Sequence, residues 1–274
     1  MSEILILFFG AVSAGLLGSL TGLGGGVVII PLLTLGFGVP MHYAIGASLI
    51  SVIGTSSGAA AAFVKEGFTN VRIGMFLEIA TTTGAIIGAL ISGLLNPNTI
   101  GIIFASILIL TVILNLRKKP DHQEPLIKGS LEHRLRLYGT FPDKGVIKAY
   151  SARNTIPGFF MMAFAGVMSG LLGIGSGALK VLAMDNMMKL PFKVSTTTSN
   201  FMIGVTAVAS SLIYFQRGEI IPVIVAPVLI GVVLGSFIGS KTLMISQTKK
   251  LKVVFAVVVS ILSIYMMYNG LNHN

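Results

Sequence analysis

The sequence predicts an all-α integral membrane protein built from two inverted repeats, each a glycine-broken segment followed by three transmembrane helices. Three observations carry this. First, of 274 residues 54% are hydrophobic and 10% charged, with a mean hydropathy of +0.91, whereas a soluble domain carries about 25% charged residues. Second, residues 8–88 lie over 159–239 without a gap, and glycine and proline agree best: Gly15 on Gly166, Gly24 and Gly26 on Gly175 and Gly177, Pro40 on Pro191, Gly84 and Gly88 on Gly235 and Gly239. Repeated halves with glycine interruptions at matching places point to a secondary transporter. Third, the basic residues fall on one side of the predicted membrane.

The first apolar stretch, 4–20, follows an N-terminus that lacks a basic region and carries Glu3. It reads as the first membrane segment and not as a cleaved signal. Segments 27–38, 43–64, 71–94 and 98–116 follow, and 156–172, 178–188, 194–215, 220–243 and 252–269 repeat the series. This divides the chain into a first membrane repeat (1–116), a basic linker (117–155) and a second membrane repeat (156–274). The runs are continuous where a barrel strand would alternate. Within the linker, Leu131–Leu137 could form a short surface helix, but a solvated linker at the headgroups is the preferred reading.

The positive-inside rule assigns the sides. With the linker in the cytoplasm, the loops at 65–72, 189–193 and 241–252 fall inside with it, and seventeen of the nineteen Lys and Arg share that side. Arg217 falls outside and Lys180 within a membrane segment. The net charge of +10 is thereby explained without a nucleic-acid partner. Loop 65–72 is inside and its repeat counterpart 216–223 outside, so the halves are inverted. That needs an odd number of crossings per half. Three suffice if 4–38 and 156–188 are re-entrant hairpins; the alternative makes their arms extra short, tilted spans.

Gly22-Leu23-Gly24-Gly25-Gly26 and Gly173-Ile174-Gly175-Ser176-Gly177 sit at the turns of these hairpins. Glycine takes positive φ cheaply, so helices break there, and broken helices are tolerated at membrane depth where they face protein, water or a ligand. The second arms would start near Gly26 and Gly177 with N–H groups and positive dipole ends that suit an anion. Close helix packing is the competing use of the same glycines. Neither motif is a nucleotide loop, because the Walker lysine and the spacing of a dinucleotide fingerprint are absent.

Lys180 follows the second turn, and a lysine at membrane depth needs a partner: an anionic substrate, or Asp185 on the same arm. Ser195–Asn200 opens an apolar helix with hydroxyls that could cap the backbone or donate to an oxyanion. Thr198, Ser199 and Asn200 are the second-half candidates for substrate contact, with Ser48 and Ser51 in the first half, beside Gly24, Gly25, Gly26, Gly175, Ser176, Gly177 and Lys180. Glu78, in an apolar helix, is either a proton or sodium coupling site or a partner of Arg72 near the membrane face; Asp185 is a second coupling candidate, placed nearer water. Thr81–Thr83 reads as hydroxyls satisfying backbone carbonyls.

The sequence holds no cysteine, which removes disulfides, thiol catalysis and Cys-ligated metals, and its four histidines are scattered. No metal or cofactor is expected beyond coupling to H+ or Na+. Ser176 has a glycine context suited to a nucleophile, but the second half has no membrane histidine to activate it, so an enzyme is not expected.

At these residues the chain resembles the TauE/SafE family of sulfite exporters and related anion permeases. The likeness rests on Gly22–Gly26 followed by Pro31, on Pro40 with Ala47-Ser48, and on Gly173–Gly177, Lys180, and Pro191 through Thr198-Ser199. Leu182 stands where the second repeat commonly has proline. The resemblance implies a multi-pass plasma-membrane permease for a small sulfur-containing anion such as sulfite, thiosulfate or an organosulfonate, working by alternating access in the bilayer, with oligomerisation left open. An anion channel, or an accessory protein that binds a partner through the basic linker, is the alternative.

Overall fold

The computed structural model describes residues 2–21, 24–65, 69–116, 131–143, 146–243, 257, 259–268 and 270. It is predominantly helical, as expected. Helix α1 spans Ser2–Thr21 and α2 spans Gly26–Pro31, continued by a π-helical turn, Leu32–Gly36. Helices α3 (Met41–Lys65), α4 (Val71–Ser92) and α5 (Pro97–Leu116) complete the first half. A short helix α6 (Leu131–Arg134) and strands β1 (Tyr138–Asp143) and β2 (Val146–Ser151) lead to α7 (Thr155–Leu172), α8 (Gly177–Leu182) with a second π turn (Ala183–Met187), α9 (Phe192–Gln216) and α10 (Pro222–Leu243). The last described helix, α11, is Val259–Tyr268.

The duplication read from glycine and proline extends to element boundaries. Helices α2, α3 and α4 and the first π turn recur in α8, α9, α10 and the second π turn with every bound displaced by 151 residues. The packing repeats as well: α1 lies on α10, α7 lies on α4, and α3 crosses α9. Glycine makes these approaches possible, as expected where helices meet without a hydrophobic driving force. A Cβ on Gly15 would overlap the backbone of Val232, and one on Gly166 would overlap the backbone of Thr81. Those two contacts are the same contact, displaced by the repeat. Gly84 and Gly88 meet Ala163 and Val167, and Gly235 and Gly239 meet Val12 and Leu16, in the same way.

In each half the second arm returns toward the start of the first. Gly10 meets the Leu32 side chain while Gly18 meets Gly25, and Gly158 meets Met188. Four described helices are long and apolar enough to cross a membrane: Val71–Ser92, Thr155–Leu172, Phe192–Gln216 and, within α10, Pro222–Gly239. The 18 residues of α7 give it about 27 Å and put it in that set, where the sequence suggested an arm too short to span. Apolar side chains such as Phe9, Phe160, Phe215, Val223 and Phe237 are exposed on the outside of the bundle, as a lipid-facing surface requires.

Part of the linker departs from the solvated connection expected of it. Strands β1 and β2 form an antiparallel hairpin, and Leu137, Phe141, Tyr150 and Ala152 are buried in one cluster with Ile73, Leu77, Met188 and Val194. The surface helix considered as the alternative for 131–137 is present only as the single turn Leu131–Arg134, and Arg136 beyond it takes a left-handed conformation (φ +53°). Asn70 binds this hairpin to α4: its side chain accepts from Ile73 N–H, capping the helix, and donates to Tyr150 Oη at 2.8 Å. Burial pushes the Tyr150 hydroxyl pKa up, partly offset by that hydrogen bond. Arg153 N–H donates to the Met188 carbonyl, so the hairpin, the start of α4 and residues 187–190 share one end of the bundle. At the other end of α4, Ser92 meets Tyr214 Oη at 2.7 Å and Arg217 at 3.1 Å.

Candidate functional site

The two glycine turns meet in the interior. Gly24 (φ +80°), Gly173 (φ +66°) and Gly175 (φ +68°) hold the left-handed conformations that break the helices; Gly22 and Leu23 lie outside the described residues. A Cβ on Gly26 would run into Ser48 Oγ and the Gly173 carbonyl, and Gly24 lies within van der Waals reach of Val52 and the Ile174 carbonyl. First-half and second-half turns therefore touch at backbone level. Ser176 also sits at positive φ (+46°), where L-residues pay a steric penalty. Its buried hydroxyl has no hydrogen-bond partner among the described residues.

The hydroxyls chosen from sequence divide among several tasks. Ser48 donates to the Gly173 carbonyl at 2.7 Å, tying α3 to the opposite turn, and Ser199 donates to the Gly177 carbonyl at 3.3 Å. Ser51 donates to the Ser48 carbonyl on its own helix. Thr198 accepts from Asn70 N–H at 3.0 Å, so it belongs to the hairpin end. Asn200 lines a small void with Gly24, Thr55, Ser56 and Ile203, and a second void is lined by Ser176, Gly177, Thr111 and Val27. Each has room for about one water.

Lys180 lies on α8 with its side chain directed between α4 and α9. Its Nζ donates to Thr206 Oγ1 at 2.5 Å, and Thr206 Oγ1 lies 2.6 Å from Glu78 Oε1. Thr82 donates to the same carboxylate oxygen at 2.9 Å. Lys180 is 0% and Glu78 5% exposed. The Arg72 pairing considered for Glu78 gives way to this buried arrangement, with Arg72 exposed. Thr81 and Thr83 donate to carbonyls of their own helix as expected, while Thr82 serves Glu78. Asp185, expected nearer water, is buried as well. Thr206 was not among the sequence candidates; the signal for it was its match to Thr55 across the repeat. Among the described residues no cluster of His, Cys, Asp and Glu could hold a metal ion.

This arrangement holds opposite charges on either side of one hydroxyl in a buried interior, beside two turns that meet at backbone level. Comparison with known proteins agrees with a transport role. Residues 7–266 match the family described as sulfite exporter TauE/SafE. A probable membrane transporter protein, YunE of Bacillus subtilis (strain 168), is 29% identical over 99% of both chains. Another from the same strain, probable membrane transporter protein YdhB, is 27% identical over 88% of this chain and 89% of its own. No solved structure matches the chain.

Proposed function

The chain belongs to the sulfite exporter TauE/SafE family, a membrane transporter family, and we propose that it carries a small sulfur-containing anion across the plasma membrane by alternating access. Sulfite, thiosulfate and organosulfonates are the class intended. The observation that carries the reading is the meeting of two repeat-equivalent glycine turns at Gly26 and Gly173, with the buried cation Lys180 just beyond the second.

Inverted halves would give such a carrier its two access states. Two contacts support inversion. Gly46, early in α3, lies against Glu219 just past the end of α9, and Ser56 lies against Gly204. Repeat-equivalent helices thus run antiparallel. The linker hairpin, the start of α4 and residues 187–190 share one end, the set that charge assigns to the cytoplasm; Arg217 is at the other. The re-entrant reading of 4–38 and 156–188 draws support from second arms that fold back on the first.

In the proposed cycle Lys180 supplies the charge that holds the anion. The turn backbone at Gly24–Gly26 and Gly175–Gly177, Ser176, and Ser48, Ser51, Ser199 and Asn200 supply its polar surroundings. Thr198 contributes from the hairpin end. The voids beside the turns have room for about one water each, so anion entry requires the turns to separate. Uptake of radiolabelled sulfite, thiosulfate and sulfoacetate into proteoliposomes, wild type beside Lys180→Ala, tests this. Saturable uptake of one anion, lost in the folded variant, is expected; no uptake of any of the three overturns the substrate class, and uptake that never saturates indicates a channel.

A further inference from the structure

We propose that Glu78 is the carboxylate that couples transport to protons, and that Thr206 is the switch through which its protonation releases Lys180 to the anion. The claim deepens the transport reading and rests on it for the flux measurements, though not for the spectroscopic one below.

Thr206 has one hydroxyl proton and two acceptors within reach: Glu78 Oε1 at 2.6 Å and the Met202 carbonyl at 2.9 Å. While Glu78 is ionised, the hydroxyl donates to it and accepts from Lys180, so a cation and an anion are balanced through a neutral group. The other carboxylate oxygen, Oε2, is buried and has no hydrogen-bond partner among the described residues. A proton from water that binds there leaves Glu78 neutral. The Thr206 proton then turns to the Met202 carbonyl, its ordinary back-bond along the helix, and Lys180 keeps its three protons with no anion to balance it. An arriving substrate anion restores the balance. Anion and proton thus enter together: without the proton the site would hold an excess negative charge away from water, which is the costly state.

The repeat supplies an internal control. The positions equivalent to Glu78, Lys180 and Thr206 are Leu229, Ile29 and Thr55. Thr55 donates to carbonyls of its own helix, and the fold at that place stands without charges. The charged version is therefore an addition to a framework that does not require it. The other titratable groups on α4, α7, α9 and the π turn after α8 lie as follows. Helix α7 carries none. On α9, Tyr214 faces Ser92 at the far end and Lys193 lies in the first turn; on α4 Arg72 is exposed; Asp185 lies beyond Lys180 on the π turn.

The test uses the full chain in liposomes. Infrared difference spectra report the protonated-carboxyl stretch without any substrate. That band is expected to be weak in wild type at neutral pH, to appear in Lys180→Met, and to vanish when Glu78→Gln is added. A band unchanged by Lys180→Met overturns the charge coupling, whether or not any sulfur anion is transported. Thiosulfate uptake, followed with an internal pH dye, is expected to rise by up to about tenfold per pH unit of outside acidity and to acidify the lumen. In Glu78→Gln the rate is expected to be flat with pH. Uptake that needs sodium, or that brings in no protons, overturns the proposal. Loss of all sulfur-anion uptake with the infrared response intact overturns the substrate class and leaves the coupled pair standing.

Discussion

Glu78 and Lys180, on helices from different halves of the chain, are bridged by one hydroxyl: Thr206 Oγ1 is 2.6 Å from the carboxylate and 2.5 Å from the ammonium. Thr206→Val removes the bridge and keeps the shape. Both charges then lose a partner in a buried site, and an unsatisfied buried polar group costs about 1–3 kcal/mol, more when charged. Thr206→Val is expected to lower the unfolding temperature in detergent and abolish uptake, while Thr206→Ser retains most of both. Equal stability and uptake in the valine variant would remove Thr206 from the mechanism.

The helix pairs α1–α10 and α4–α7 are spaced by glycine. Gly88→Ala would press a methyl group into the Val167 carbonyl, and Gly239→Ala would strike Ser19 and Leu16. Overpacking of this kind costs about 1–3 kcal/mol, and backbone atoms cannot step aside as side chains do. Both variants are expected to express poorly and unfold early. Gly101, in α5, has no atom of the described residues outside its own helix backbone within 4 Å of an added Cβ; Gly101→Ala should be neutral or stabilise by up to about 1 kcal/mol. Comparable thermal stability of Gly88→Ala and wild type would show that the contact yields.

The recurrence of helix bounds at a displacement of 151 residues was legible in the sequence because glycine and proline act locally, on the backbone that carries them. What was not legible depends on how helices rotate against each other. Ser195–Asn200 looked like one polar cluster, yet successive helical residues turn by about 100°. So Thr198 reaches Asn70, Ser199 reaches the Gly177 carbonyl, and Asn200 reaches the void beside Gly24. Glu78 and Lys180 meet because α4 and α8 both pack on α9, which no spacing in the chain announces. The linker hairpin had a readable signal, the alternation of Leu137, Gly139 and Phe141, but Pro142, Asp143 and the basic surroundings obscured it.

Ser176 combines a strained backbone with a hydroxyl that has no partner among the described residues. Its repeat counterpart, Gly25, has φ −66°, so the strain is particular to the second turn. Left-handed backbone costs an ordinary residue roughly 1–2 kcal/mol. Ser176→Gly is expected to raise stability by about 1 kcal/mol and, if the hydroxyl meets the anion, to raise KM with kcat little changed. That trade separates function from packing. A variant that is more stable with unaltered kinetics would leave Ser176 outside the substrate path.

The assignment of sides is open to direct measurement because the chain has no cysteine to replace first. Ile147 in the linker hairpin is 74% exposed and Leu94, just past α4, is 86% exposed. They belong to opposite ends of α4, since Asn70 at its start holds the hairpin and Ser92 at its finish meets Arg217. In intact cells, a membrane-impermeant maleimide is expected to label Leu94→Cys and to leave Ile147→Cys unlabelled until the membrane is opened. The reverse pattern would turn the molecule over and place seventeen basic residues outside, against the rule that orients such chains. Labelling of both from one side would mean that α4 does not cross the bilayer, and with it the inverted arrangement would fall.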